Sequence, residues 1–155
     1  MTTFKLNDSL PDLTVATTKN NALELSSTLG KNLVLYFYPK DNTPGCTQEG
    51  KDFADAYSEF TLLNTEILGV SKDSVKKHCN FIEKYQFPFD LIADEDEVLC
   101  KVLDVIKEKN MYGKKYMGIE RSTFIFDTKG VLKAEFRKVR VKGHIEAVLE
   151  AVKSI

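Results

Sequence analysis

One cysteine lies in a stretch whose neighbours could make it reactive, residues 38–47, which read Tyr-Pro-Lys-Asp-Asn-Thr-Pro-Gly-Cys-Thr. Pro39 cannot donate a hydrogen bond to a sheet and so ends a strand, whereas Thr43 followed by Pro44 is the pair expected at a helix cap and first helical position. Cys46 then occupies the third helical position. There, unpaired backbone N–H groups and the positive end of the helix dipole favour the thiolate over the thiol. We therefore predict that Cys46 is a nucleophile.

The elements on either side of this stretch position the cysteine. Residues 33–38 are apolar without alternation, which is typical of a strand buried on both faces inside a sheet. A helix is expected after the loop, as far as residue 60. Its core-facing stripe follows steps of four and three residues at Cys46, Gly50, Phe53, Tyr57 and Phe60. A lone cysteine in such a stripe is more often a small buried apolar side chain, but its place directly after a loop with prolines and a glycine favours function. A glycine in a helix, at residue 50, indicates that another group packs close to it.

These residues resemble a known family. The pattern Pro39-x-x-x-Thr43-x-x-Cys46 is similar to the peroxiredoxin signature, and residues 43–47 resemble its bacterioferritin comigratory protein subgroup, also called PrxQ. Residues 111–124, Met-Tyr-Gly-Lys-Lys-Tyr-Met-Gly-Ile-Glu-Arg-Ser-Thr-Phe, also resemble that subgroup, and the resemblance covers nearly the whole chain. It implies a thioredoxin-like fold and a thiol-dependent peroxidase that needs no bound cofactor.

The resemblance also assigns roles to individual residues. It implies that Cys46 is the peroxidatic cysteine, that the Thr43 hydroxyl and the Cys46 backbone N–H hold the peroxide, and that Pro39 shields the sulfur from water. Arg121 matches the family's cation, at the start of a strand predicted over residues 122–126. Glu49 also fits the family pattern, as the residue that orients this arginine. A thiolate that cleaves an O–O bond needs such fixed donors near both oxygens.

The sequence identifies the second cysteine of the peroxidase cycle, the resolving cysteine, less clearly than the first. Many PrxQ proteins carry a resolving cysteine five residues after the nucleophile, where this chain has Lys51. Cys79 is the candidate replacement, although other members of the subgroup place theirs closer to the position of Ile82. A resolving thiol is needed because the sulfenic acid formed on Cys46 otherwise oxidises further.

Two alternatives to a resolving Cys79 remain open. Cys79 falls on the predicted apolar stripe of its helix, Val75, Cys79, Ile82 and Tyr85, and could be a core residue. A one-cysteine mechanism is the other alternative, with Cys46 reduced directly by a small thiol or a thioredoxin-like protein. Cys100 adjoins Leu99 in a predicted amphipathic helix, which favours packing.

Other residues with chemical potential have structural explanations. His78 and His144 are candidates for acid–base work, but the mechanism above does not need them. The acidic cluster at residues 94–97 could hold a hard cation, but negative charge at a helix start is already favoured by the dipole. No metal site is therefore predicted.

Composition limits the class of protein. The chain has 155 residues, which is the size of one domain over residues 1–155, and its 43% hydrophobic and 29% charged content is ordinary for a globular protein. A net charge of −1 offers no attraction for nucleic acid or anionic membrane. The first ten residues lack the apolar segment of a signal peptide, and three cysteines form no disulfide framework, so a cytoplasmic location is expected.

The remaining patterns predict an α/β protein, a three-layer sandwich with a central mixed sheet and an N-terminal β-hairpin. The predicted hairpin joins residues 11–17 and 22–25 through a turn at residues 20–21, and Ser26 or Ser27 caps a short helical turn. The later predicted elements are strand 66–70, a helix capped within residues 71–74 and ending near 85, strand 87–93, a helix bearing Val98, Leu99, Val102, Leu103 and Ile106, a hairpin of 122–126 with 131–136, and a C-terminal helix with Ile145, Val148, Leu149 and Val152.

These features favour an enzyme that reduces hydrogen peroxide or organic hydroperoxides and is recycled by thioredoxin or a similar dithiol. The alternative is a thioredoxin-fold sensor or interaction module that is oxidised without efficient turnover. A disulfide oxidoreductase fits less well, because residues 46–49, Cys-Thr-Gln-Glu, lack the second cysteine of exchange enzymes. The subgroup resemblance points to a monomer.

Overall fold

The structure is a computed structural model that describes residues 4–19 and 21–155. Asn20, half of the turn predicted at residues 20–21, lies outside the described residues, as do residues 1–3. In chain order the elements are β1 (Thr14–Thr17), β2 (Leu23–Glu24), a 3₁₀ helix η1 (Leu25–Thr28), β3 (Asn32–Phe37), α1 (Pro44–Asp55), α2 (Tyr57–Leu62), β4 (Thr65–Ser71), α3 (Val75–Tyr85), β5 (Asp90–Ala93), α4 (Val98–Val102), β6 (Ile106–Met111), β7 (Lys114–Ile119), β8 (Ser122–Phe126), β9 (Leu132–Phe136) and α5 (His144–Lys153).

Seven strands form one mixed sheet in the order β2-β1-β5-β4-β3-β8-β9. Strands β3, β4 and β5 are parallel, and β8 runs antiparallel to β3. The apolar run predicted as an interior strand therefore lies between two neighbours. Alternate side chains of this run enter different cores: Val34, Tyr36 and Tyr38 on one face of the sheet, and Leu33, Leu35 and Phe37 on the other.

Both faces of the sheet are covered, which confirms the predicted α/β architecture. One core includes side chains from four helices, Phe53 of α1, Phe60 of α2, Phe81 of α3 and Val148 of α5. The opposite core includes Leu25 of η1 and Leu99 of α4. The predicted N-terminal hairpin is present as β1 and β2, and the predicted β8–β9 hairpin and C-terminal helix are also confirmed.

Several predicted boundaries are wrong. The helix expected to reach residue 60 breaks at Ala56 into α1 and α2, and strand β5 is shorter than residues 87–93. The N-cap of η1 is Glu24 rather than a serine, and the Ser27 hydroxyl donates to its carbonyl. Ile106 was expected in a helix but begins β6, because the chain turns at Asp104, whose φ is +56°.

The β6–β7 hairpin was not predicted. It forms a separate two-stranded sheet, paired from Ile106 with Ile119 to Met111 with Lys114. Its strands are largely exposed and carry lysines, so they lack the buried apolar face that marks a strand in sequence. Among residues 4–19 and 21–155, no helix has the length and apolar character needed to cross a membrane.

Candidate active site

Helix α1 begins as its sequence predicts. Thr43 is the N-cap residue, Pro44 is the first helical residue, and Cys46 is therefore the third. The backbone N–H groups of a first helical turn have no partner within the helix. The Thr43 hydroxyl, however, does not cap the helix. It donates to the Lys40 carbonyl at 2.9 Å, which leaves its oxygen lone pairs available as acceptors.

Arg121 meets Cys46 because of the pairing of two strands. Phe37, the last residue of β3, pairs antiparallel with Ser122, the first residue of β8. The residues just beyond this pair therefore lie at the same end of the two strands. From this end Nη2 of Arg121 donates to the Cys46 sulfur at 3.3 Å, and Nη1 donates to Oε1 of Glu49 at 2.5 Å. The structure thus brings together three residues that were predicted to act together.

The three side chains share a secluded position. Cys46 is 3% exposed, Glu49 is fully buried and the Arg121 side chain is 16% exposed. Gly45 allows the close approach, since a side-chain carbon there would lie 3.2 Å from Nη2 of the arginine. A fixed cation beside a nearly dry sulfur stabilises negative charge on that sulfur more strongly than a cation in water would.

Glu49 titrates near neutrality. Burial raises the pKa of its carboxyl to about 7, although the Arg121 guanidinium acts in the opposite direction. Burial lowers the pKa of Arg121, but the negative charges of Glu49 and Cys46 outweigh that effect and the pKa is raised overall. Arg121 is thus cationic at every relevant pH, and Glu49 is the partner that changes charge. Its Oε2 atom is buried and has no hydrogen-bond partner among the described parts of the chain.

The remaining predicted site residues lie in or near the loop before α1. Pro39 and Thr43 are both half-buried on that loop. The expected close packing at Gly50 is confirmed, because the Phe87 ring would lie 2.6 Å from a side-chain carbon at this position.

Cys79 does not lie on the apolar face of α3, and the predicted stripe is wrong on this point. The cysteine is exposed, whereas the buried residues of the helix are His78 and Phe81. This excludes the core interpretation of Cys79. Ser74 caps the helix as predicted, with its hydroxyl accepting from the Lys77 N–H at 3.2 Å.

Cys100 is a buried packing residue. Burial and the nearby Asp94 carboxyl raise the pKa of its thiol far above the ordinary range. The acidic cluster has a local function, since Asp94 accepts hydrogen bonds from the N–H groups of Leu99 and Cys100 at 3.1 and 2.8 Å. All three cysteines of the chain are free thiols in this structure.

Two histidines that seemed dispensable in the sequence are buried. His144 contacts the Thr123 hydroxyl through Nε2 at 2.8 Å, and burial, followed by the charge of Arg121, lowers its pKa to about 4. His78 contacts Asp41 of the active-site loop, which we define as residues 39–45. The signal for His78 was present in the sequence as a second helical stripe, His78, Phe81 and Tyr85, which the apolar pattern through Cys79 obscured.

Known proteins closely resemble this chain. The AhpC/TSA family profile matches residues 6–135. Peroxiredoxin Bcp of Xanthomonas campestris is 52% identical over 143 residues, covering 92% of this chain and 89% of that protein. Peroxiredoxin Bcp of Bacillus subtilis is 46% identical over 153 residues, covering 99% of this chain and 98% of that protein.

Solved structures agree with the sequence comparison. A structure of Xanthomonas campestris Peroxiredoxin Q is 50% identical, covers 96% of this chain and 97% of its own, and has a TM-score of 0.90. A Xylella fastidiosa PrxQ mutant is 41% identical, covers 99% and 98%, and has a TM-score of 0.93. The predicted thioredoxin-like fold is confirmed. The chain belongs to the AhpC/TSA family, in the Bcp/PrxQ group of peroxiredoxins, and is a thiol peroxidase.

Proposed function

We propose that the chain reduces hydrogen peroxide and organic hydroperoxides with Cys46 as the peroxidatic nucleophile. The observation that carries this assignment is the 3.3 Å hydrogen bond from Arg121 to the sulfur at the third position of α1. The two features supply a permanent cation and a helix N-terminus, both of which stabilise a thiolate. Cys79 and Cys100 have no comparable surroundings, since the first is exposed and the second is packed in the core.

The reaction balances with these groups. The Cys46 thiolate attacks one peroxide oxygen, the O–O bond breaks, and the other oxygen leaves as an alkoxide or hydroxide that takes up one proton to become an alcohol or water. Cys46 is oxidised to a sulfenic acid. Arg121 and the Cys46 N–H donate to the oxygens as charge develops, and the Thr43 oxygen accepts from the peroxide O–H. Pro39 limits water access, and Glu49 orients Arg121 through the 2.5 Å hydrogen bond.

We further propose that Cys79 resolves the sulfenic acid. Its thiol condenses with Cys46, releasing water and forming a disulfide, and thioredoxin or a similar dithiol then reduces that disulfide. The exposure of Cys79 supports this role. An exposed thiol can reach the Cys46 sulfur once one helix end unfolds locally. Direct reduction of Cys46 without a resolving cysteine is the competing mechanism.

The setting of the enzyme follows from the same proposal. The Xanthomonas campestris bacterioferritin comigratory protein was studied for alkyl peroxide reduction, which supports organic hydroperoxides as substrates here. We propose that the chain functions as a single-domain monomer in the cytoplasm, where thioredoxin-type donors keep thiols reduced. The proposed mechanism needs no bound cofactor.

Peroxide-dependent NADPH oxidation in the presence of thioredoxin and thioredoxin reductase tests the function. Cys46→Ser is expected to reduce turnover by at least about three orders of magnitude, while Cys100→Ala retains it. Stoichiometric oxidation of the wild type without turnover would instead identify a sensor. Turnover that survives in Cys46→Ser would refute the assignment of the nucleophile.

A further inference from the structure

The active-site loop is attached to helix α3 at two places. At the surface, Oδ1 of Asn42 accepts from Lys84 Nζ at 3.3 Å and from the Tyr85 hydroxyl at 3.2 Å. In the interior, Oδ2 of Asp41 lies 2.6 Å from Nδ1 of His78. The side chains of the inner pair are 5% and 0% exposed. The loop that presents Pro39 and Thr43 is therefore held by the helix that carries Cys79.

The hydrogen bonds of the inner attachment form a complete set. Nε2 of His78 lies 2.9 Å from the Ile92 carbonyl, which can only accept, so this nitrogen carries a hydrogen. Nδ1 of the same ring contacts the Asp41 carboxyl, so both ring nitrogens have a hydrogen-bond partner. The Tyr38 hydroxyl donates to the other Asp41 oxygen at 2.5 Å. Short, charge-assisted contacts of this kind fix geometry closely.

The backbone of Asp41 is fixed as well. Its N–H donates to Oδ2 of Asp73 at 2.8 Å, and the same oxygen accepts from the Ser71 hydroxyl at 2.8 Å. Asp41 is thus attached through both backbone and side chain, two residues after Pro39 and two before Thr43. A shift of Asp41 would move both neighbours, which are the residues that shield the sulfur and accept from the peroxide in the proposed mechanism.

We propose that His78 is a positioning residue for peroxide reduction, which acts through Asp41 on the placement of Pro39 and Thr43. An apolar side chain would fill this buried position on α3 as well as histidine does, and a buried polar group is costly unless all its hydrogen bonds are made. The function of this hydrogen-bond network is therefore to keep the active-site loop in position. The inference rests on the proposed role of Cys46 and adds a residue that touches neither the sulfur nor the peroxide.

The experiment compares two reactions of Cys46. Oxidation by hydrogen peroxide in a single turnover needs the placed loop, whereas alkylation by iodoacetamide reports only the thiolate and its accessibility. His78→Leu is expected to lower the rate constant for peroxide about tenfold or more, since small displacements in an active site have effects of this size. Its alkylation rate should stay within about twofold of the wild type.

Three further variants keep the test decisive. Asp41→Ala, which removes the same contact from the loop side, should reproduce the loss if His78→Leu does not fold. Asp41→Asn should restore most of the rate, because the amide oxygen can accept from the Tyr38 hydroxyl and the amide nitrogen can donate to Nδ1 of His78. Phe81→Leu changes the same buried helix face and removes none of these hydrogen bonds, although the Phe81 ring lies 6.2 Å from the Tyr38 ring, and it should retain the peroxide rate despite lower stability.

The outcomes separate the two proposals. A wild type that does not react with peroxide would refute the proposed role of Cys46. A normal wild type with an unchanged peroxide rate in His78→Leu or Asp41→Ala would overturn the positioning role alone. An equal fall in alkylation, or an equal loss in Phe81→Leu, would show that the effect is general destabilisation and would also overturn it.

Discussion

Cys46 on α1 and Cys79 on α3 carry the same thiol in contrasting surroundings. Cys46 is almost fully buried, with a guanidinium 3.3 Å from its sulfur. Cys79 is exposed on the outer face of its helix. A nucleophile benefits from a fixed nearby charge and from the exclusion of water. A resolving thiol must reach the sulfur of the nucleophile, and it benefits from exposure and from a helix that can unfold locally. The difference is the one expected of two cysteines that act at successive steps.

The ends of the two helices differ in the same sense. The first turn of α1 follows an interior strand and contains Pro44 and Gly45, and Gly45 packs closely beside Arg121. Helix α3 begins with a serine cap and ends at Gln86, whose φ is +56°. It also follows an interior strand, β4, and it contacts the active-site loop through the side chains of His78, Lys84 and Tyr85. Cys46 thus lies at the closely packed start of its helix, whereas the helix of Cys79 contacts the site through side-chain hydrogen bonds.

Removal of Arg121 tests the charged environment of Cys46 and has the largest expected effect. Arg121→Met should lower the rate constant for peroxide about 10- to 100-fold, because a hydrogen bond to a charged group contributes about 1.5–3 kcal/mol. Arg121→Lys keeps the charge but cannot contact Cys46 and Glu49 with the same fork, so its rate should be intermediate. Stopped-flow or competition kinetics with hydrogen peroxide measure both.

A second half-buried arginine provides the control. Arg137 donates to the carbonyls of Asp104 and Leu103 and lies over the Phe124 ring at 5.1 Å. Arg137→Met should reduce stability and leave the peroxide rate unchanged. If the two substitutions reduce the rate equally, the special position of Cys46 is not electrostatic.

Substitution of Cys79 tests the other half of the comparison. Cys79→Ser should leave the first oxidation of Cys46 unchanged, because the two helices supply separate steps. It should abolish the internal disulfide after one equivalent of peroxide and increase sulfinic acid several-fold at higher peroxide, since the sulfenic acid has no partner thiol. Peptide mass spectrometry measures both products. A Cys46–Cys100 disulfide, or a persistent sulfenic acid in the wild type, would contradict the assignment.

The site around α1 could be predicted because its signals are local. Pro39, Thr43 and Pro44 determine where the strand ends and the helix begins, and each acts through its own backbone chemistry. Glu49 lies one turn after Cys46 on the same helix, but the proximity of Arg121 to both depends on strand pairing across the chain. That proximity came from the family resemblance and not from spacing.

The surroundings of α3 could not be predicted in the same way. An apolar stripe assumes that buried residues are apolar, but the interior of α3 contains His78, whose burial requires a partner 37 positions away in Asp41. The β6–β7 hairpin was missed for a related reason, since it packs outside the main sheet and has no continuous apolar face. The first error concerns a residue whose environment is set by a distant part of the chain, and the second concerns strands that pair locally and bury little apolar surface.

Glu49 offers a smaller and pH-dependent test of the α1 site. Its folded-state pKa of about 7 lies above the ordinary value of 4.5, so the folded state holds this proton more tightly than the unfolded chain. The resulting stability is fully present below about pH 4.5 and is lost as the pH rises through about 7. For a pKa shift of this size the full change in the free energy of unfolding is about 3 kcal/mol.

The wild type should therefore lose stability between pH 4.5 and pH 8, whereas Glu49→Gln, which cannot ionise, should not. Urea unfolding of both proteins at the two pH values measures the free energies of unfolding. Activity should change in the opposite direction. At pH 8 the variant should react with peroxide several-fold more slowly, because an amide holds the Arg121 cation less firmly than a carboxylate. A stability difference that does not vary with pH would show that Glu49 does not titrate in this range.

The contact between α1 and Phe87, in the segment that follows α3, gives the smallest expected effect. Gly50→Ala would place a carbon 2.6 Å from the Phe87 ring, which is itself confined by Phe81 at 4.9 Å and Phe89 at 5.5 Å between ring centres. Overpacking costs about 1–3 kcal/mol and the gain in helix propensity is about 1 kcal/mol, so we expect a net loss of about 1 kcal/mol. Lys51→Ala, at the exposed neighbouring position, should change stability by less than about 0.5 kcal/mol. A fixed position of Cys46 requires this close packing of α1. A Gly50→Ala variant more stable than the wild type would show that α1 can shift at little cost. The contrast between the surroundings of the two cysteines would then lose its physical basis.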